Sequence, residues 1–87
     1  MTEGKYRLAP GTQVRKEDFG LLFYTIAGPR LYFLASGHLL KENFFNGQLT
    51  LKQWINRREP EASSDEYISI LAVGIHRLKE KGVIVEC

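Results

Sequence analysis

Val14-Arg15-Lys16-Glu17-Asp18-Phe19-Gly20-Leu21-Leu22-Phe23-Tyr24, then a Gly28-Pro29 turn, then Arg30-Leu31-Tyr32-Phe33-Leu34, are two β-rich runs placed ahead of everything helical. Gln13 to Lys16 forms a short first strand, and Lys16-Glu17-Asp18 turns the chain into a second strand, Gly20 to Ile26. There Leu22, Tyr24 and Ile26 alternate with Leu21, Phe23 and Thr25, so both faces are apolar, as expected of a central strand. Ala27-Gly28-Pro29 closes the hairpin, because Pro29 fixes φ and Gly28 tolerates the angles of a tight turn. A third strand runs from Arg30 to about Ala35. A small sheet followed only by helices is covered from one side. In so short a chain it keeps an open edge, whose unpaired N–H and C=O groups accept a strand from another chain.

Upstream of the sheet, residues 1–12 are polar and broken by Gly4, Pro10 and Gly11. They read as a loose arm in which Tyr6 and Leu8 form a short extended piece, leaving 13–87 as a single domain. Downstream, Ser36 is a candidate N-cap for a first helix over Gly37–Asn46, with Leu39, Leu40, Phe44 and Phe45 as its apolar stripe and Gly47 as its stop. Thr50-Leu51-Lys52-Gln53 has capping-box form and opens a second helix that carries Leu51, Trp54 and Ile55 and ends at Arg57-Arg58-Glu59-Pro60. Ser63 with Glu66 forms another capping box, which opens the longest helix, Asp65 to Lys81. Gly82 stops it, and Val83-Ile84-Val85 is an extended tail. The expected fold class is thus α+β, a three-stranded antiparallel sheet followed by three helices.

This last helix carries more apolar residues than one buried stripe requires. At 100° per residue Tyr67, Ile68, Leu71, Ile75 and Leu78 share the core face, and Ile70, Gly74, Arg77 and Lys81 form an adjoining strip. An aliphatic side chain, a glycine that permits close approach and two cations suit the wall of a groove facing a peptide with acidic residues. The same strip also reads as a partly exposed helix flank.

Eighty-seven residues with 44% hydrophobic and 25% charged side chains make one foldable domain. The net charge is only +2, with twelve cations interspersed among ten acids, which argues against nucleic-acid and membrane-surface binding. The single cysteine, Cys87, gives neither a disulfide framework nor a metal cluster. With no apolar run of spanning length and no signal-like N-terminus, a reducing, cytoplasmic setting is expected.

Few residues carry chemistry. His38 and His76 lie apart, without cysteine or a carboxylate pair at metal-ligand spacing, so no metal site is expected. Ser63 and Ser64 are explained by capping, and no serine triad, Gly-rich phosphate loop or dinucleotide motif is present. Glu17-Asp18, Glu59 with Glu61, and Asp65-Glu66 sit in turns or first helical turns, where carboxylates cap or favour the helix dipole. Arg57-Arg58 suits a helix C-terminus, and Trp54 reads as a core anchor. No catalytic role or cofactor is expected.

The run from Val14-Arg15 through Phe19-Gly20 and Leu22-Phe23-Tyr24 to Arg30-Leu31-Tyr32-Phe33-Leu34 resembles the N-terminal signature of the mycofactocin-system peptide chaperones. Gly47, Leu49 to Trp54 and Leu78-Lys79-Glu80-Lys81-Gly82-Val83-Ile84 resemble the wider PqqD-like family of precursor-peptide recognition elements. Together these cover residues 6 to 85, with Lys16 standing where the signature has proline. The resemblance implies a winged-helix-like domain without catalytic activity. Such a domain grips the leader of a ribosomally made precursor peptide as a strand added beside the third strand and against the last helix. It presents that peptide to a radical SAM maturation enzyme.

Main-chain hydrogen bonds along Arg30 to Leu34 would then set register, and pockets between strand and helix would select side chains. Either Leu31 and Phe33 or Arg30, Tyr32 and Leu34 face the groove, since both alternating sets contain large apolar residues. Ile70 and Gly74 would form its wall, and Arg77 and Lys81 would meet acidic leader residues. Two other readings compete. A DNA-binding winged helix should carry basic residues along its recognition helix, whereas Arg77, Lys79 and Lys81 cluster only near the end. An unprotected edge can also pair weakly with its own copy as a homodimer.

Overall fold

Leu21 and Phe23 alternate with Leu22 and Tyr24 along one strand, and in the computed structural model, which describes residues 4–26, 28 and 30–87, the first pair is fully buried and the second half-buried. That strand, β3 (Gly20–Thr25), lies at the centre of an antiparallel sheet between β2 (Thr12–Glu17) and β4 (Leu31–Leu34). Val14 pairs with Phe23, which pairs in turn with Tyr32, so the three strands form a meander in register. Two helices follow, α1 (Leu51–Arg58) and α2 (Asp65–Glu80). The chain is a small α+β domain whose sheet is covered on one face, as expected.

The turn expected at Ala27-Gly28-Pro29 falls partly on Ala27 and Pro29, which lie outside the described residues. Its flanks close the hairpin: the Thr25 N–H donates to the Arg30 carbonyl at 3.2 Å, and the Arg30 N–H donates to Thr25 Oγ1 at 3.1 Å.

The extended piece at Tyr6 and Leu8 is strand β1 (Tyr6–Leu8), and its partner is β5 (Ile84–Glu86), the extended tail. The two pair antiparallel, Tyr6 opposite Glu86 and Leu8 opposite Ile84, and Tyr6 is buried. Residues 6–8 are therefore held against the body of the domain. Strand pairing over such a separation leaves no local sign in either segment, because each is too short to show periodicity by itself.

The expected first helix over Gly37–Asn46 is not an α-helix; only Glu42–Phe45 forms a single 3₁₀ turn. Gly37 has φ +56, and Lys41 is extended at φ −117, ψ 165, so the backbone is broken twice within the segment. The physical reason lies in Phe44 and Phe45. Both are buried, Phe45 edge-on to Phe23 at 5.1 Å and Phe44 edge-on to Trp54 at 5.5 Å. The two rings also meet each other edge-on at 4.9 Å, so this short turn seats both against the core while the broken backbone before it ends any longer helix. The Leu39 carbonyl is committed too, accepting from Trp54 Nε1 at 2.9 Å.

Local signals served better at the other helices. Thr50 and Gln53 form the full capping box of α1, each side chain accepting from the other's backbone N–H. At α2 the cap is displaced by one residue: Ser64, not Ser63, accepts from the Tyr67 N–H. Tyr67 is also corrected, since it is 55% exposed while Ile68, Leu71, Ala72, Ile75 and Leu78 make the buried stripe. No helix among the described residues is long and apolar enough to cross a membrane.

Candidate functional site

β4 pairs only with β3 among the described strands, so its other side is open. Which groups face outward follows from the hairpin. The Thr25 N–H donates to the Arg30 carbonyl, which makes this a hydrogen-bonded position, and in an antiparallel pair such positions alternate with non-bonded ones. Arg30, Tyr32 and Leu34 therefore turn their backbone groups toward β3, while Leu31 and Phe33 turn theirs toward the open edge.

Side chains follow the same parity. Leu34 is buried and Tyr32 half-buried on the core face, opposite Leu21 and Phe23, whereas Leu31 and Phe33 are 71% and 52% exposed on the outer face. Of the two alternating sets, Tyr32 and Leu34 thus present their side chains to the core face, while Phe33, from the other set, also borders the groove and Arg30 lies at its rim.

Alongside the open edge runs α2, and between them is a groove of about 550 Å³. One wall is Tyr32, Phe33 and Leu34, and the other is Ile70, Gly74, Arg77 and Lys81. Seven of the nine candidate residues thus meet in one concavity, together with Val73, which the helical-wheel strip omitted. Arg30 borders it, sharing a small depression with Tyr32 and Lys81. Leu31 does not enter the groove; its side chain lies across the sheet with Leu22, Tyr24 and Arg15.

Gly74 explains how β4 and α2 come so close. A Cβ at this position would lie 2.6 Å from Leu34 Cδ1, so the methyl of Leu34 occupies the space that any other residue would fill. Ile70 and Val73, both in the turn before Gly74, are 61% and 46% exposed, an apolar lining left without a cover among the described residues.

Beyond Ala35 the groove continues into a second concavity of about 490 Å³ toward the start of α2, lined by Ser36, His38, Glu61, Tyr67 and Ile70. Ser36 is buried, and its Oγ has no hydrogen-bond partner among the described residues.

Here sequence reasoning missed a constellation. His38 was expected to lie apart from carboxylates, yet the ligand-capable atoms of His38, Glu59 and Glu61 all fall within 4.8 Å of one another, with His38 Nε2 at 3.7 Å from Glu59. The break before Pro60 folds Glu59 and Glu61 back toward the loop after β4, and nothing in the spacing of 38, 59 and 61 foretells this. The Glu61 carboxyl is held below its ordinary value, first by its own backbone N–H, then by the Glu59 side chain and the charge of His38.

At the opposite end the cations divide. Lys79 is committed to Glu86 at 2.7 Å, a contact that raises its pKa and lowers that of Glu86. Arg77 and Lys81 form no ion pair among the described residues. Comparison with protein-family models, with curated proteins and with solved structures finds no match to this chain.

Proposed function

We propose that this domain binds an extended peptide as a fourth strand on the open edge of β4, with alternate peptide side chains inserted between that strand and α2. The observation that carries this is the coincidence of an unpaired strand edge with an uncovered apolar helix flank, held at close range by Gly74 and Leu34. Backbone bonds to Leu31 and Phe33 would give register and affinity, and pockets over Ile70 and Gly74 would give selectivity.

Together with the resemblance of the β2–β4 run, this supports a non-catalytic peptide chaperone of the PqqD-like, mycofactocin-system kind. Its partners are the leader of a ribosomally made precursor and the radical SAM enzyme that matures it, and its architecture is a winged-helix variant with α1 and α2 behind the meander. The exposed flank of α2 is apolar at Tyr67, Ile70 and Val73, which suits a peptide better than a phosphate backbone.

Calorimetric titration with a synthetic precursor peptide encoded beside the gene tests the reading. Saturable binding at about micromolar Kd or tighter is expected. Phe33→Pro deletes an N–H that faces the open edge while sparing the ladder to β3, so it should fold and lose binding. Tyr32→Pro should instead disrupt the sheet. Undiminished binding by a folded Phe33→Pro protein would exclude strand addition at β4.

A further inference from the structure

We propose that the groove is electrically polarised along its length and so fixes the direction of its peptide: a Lys or Arg side chain at the Glu59/Glu61 end and Asp or Glu at the Arg77/Lys81 end. This rests on the strand-addition reading above and extends it to the chemistry of the ligand.

The two concavities share Ala35, Ile70 and Leu71 and form one path along α2. At one end stand Arg77 and Lys81, with Arg30 beside them, exposed and without acidic partners among the described residues. At the other end Glu61 lines the groove beside His38, and Glu59 converges on the same imidazole from the adjoining depression that it shares with Lys41 and Arg58. Like charges so placed favour any cation that arrives between them. A second observation at this end also points to a ligand: Ser36 lines the same segment, and its buried hydroxyl has no partner among the described residues, a need that a peptide backbone group drawn into the groove would meet.

Direction follows from topology. β4 starts beside Lys81 and ends beside Ile70 and Leu71, so it runs antiparallel to α2. A strand added antiparallel to β4 therefore runs parallel to α2, entering at Glu61 and leaving at Lys81. From Tyr67 to Lys81 the helix rises roughly 21 Å at about 1.5 Å per residue, the reach of about six extended residues at ~3.3 Å each. The favoured peptide carries its cation on the N-terminal side and its acid about six residues later.

Three synthetic ten-residue peptides with the same alternating threonine and valine centre provide the test. One has two lysines at its N-terminal end and two aspartates at its C-terminal end, one has these charges exchanged, and one has glutamine at all four places. Fluorescence anisotropy with the intact domain should rank the first about tenfold tighter than the second, since exposed pairs of this kind each contribute a few-fold and both ends change sign together. A variant with Glu59→Lys, Glu61→Lys, Arg77→Glu and Lys81→Glu, shown folded by circular dichroism, should invert the ranking. Equal binding of the two charged peptides, or a preference that the variant does not invert, overturns the polarity while leaving strand addition standing. No saturable binding by any of the three overturns the groove itself.

Discussion

Gly74→Ala should change sign according to what stands opposite it. The new methyl would lie 2.6 Å from Leu34 Cδ1, against ~3.5–4.0 Å for carbons in good contact. Leu34 or all of β4 must therefore move by about 1 Å, an overpacking cost of about 1–3 kcal/mol. Against this, alanine in a helix interior is favoured over glycine by about 0.8–1.0 kcal/mol. The net expectation in the natural chain is a loss of up to about 2 kcal/mol. In a Leu34→Ala background the opposing methyl is gone. That truncation itself costs about 2–5 kcal/mol, but Gly74→Ala added to it should now stabilise by about 1 kcal/mol through helix propensity alone. Urea denaturation of the four proteins, compared at constant m value, reads the cycle directly. If Gly74→Ala stabilises equally in both backgrounds, β4 is not seated on α2 at this position and the narrow groove is wrong.

Two further outcomes can be checked on the same protein. Burial first, and the charge of Glu86 second, raise the Tyr6 pKa above its ordinary 10.0. A raised value means that its contribution is complete below the unfolded pKa and is lost as pH climbs through the folded one, so melting temperature should fall above about pH 10, and a Tyr6→Phe protein should lack that alkaline decline. Trp54→Phe removes the donor to the Leu39 carbonyl and puts a smaller ring in place of the indole whose centroid lies 4.3 Å from the Arg58 guanidinium. It should cost about 2 kcal/mol in denaturant unfolding, and an unchanged midpoint would mean that the 37–41 segment does not depend on this anchor.

Which parts of this molecule were legible in its sequence depended on the range of the interactions that decide them. The meander was legible because two short apolar, β-rich runs, Gly20 to Ile26 and Arg30 to Leu34, flank a Gly28-Pro29 turn. The cap of α1 was legible because Thr50 and Gln53 satisfy each other within one turn. The groove was half legible: the strip of Ile70, Gly74, Arg77 and Lys81 follows from the helical period, but the strand parity needed the Thr25–Arg30 closure. The Gly37–Asn46 segment misled because Phe44 and Phe45 look like a helical stripe, when each answers to a different distant ring. The meeting of His38 with Glu59 and Glu61 depends on how two loops pack, and no spacing encodes it.

The pairing of β1 with β5 joins positions about 80 residues apart, and closing so long a chain from the unfolded state costs on the order of 4 kcal/mol in entropy. Three residues of ladder on each side are a small return on that outlay, so the two strands are poor seeds for folding. Once the meander and helices have assembled, the ends already lie close and the cost has largely vanished. The clasp is therefore a late event and the first to reopen, and Tyr6, buried only when it is shut, reports whether the domain has finished folding. Hydrogen exchange should show the β1 amides opening at lower free energy than those of β3, in a sub-global step that leaves the peptide groove intact.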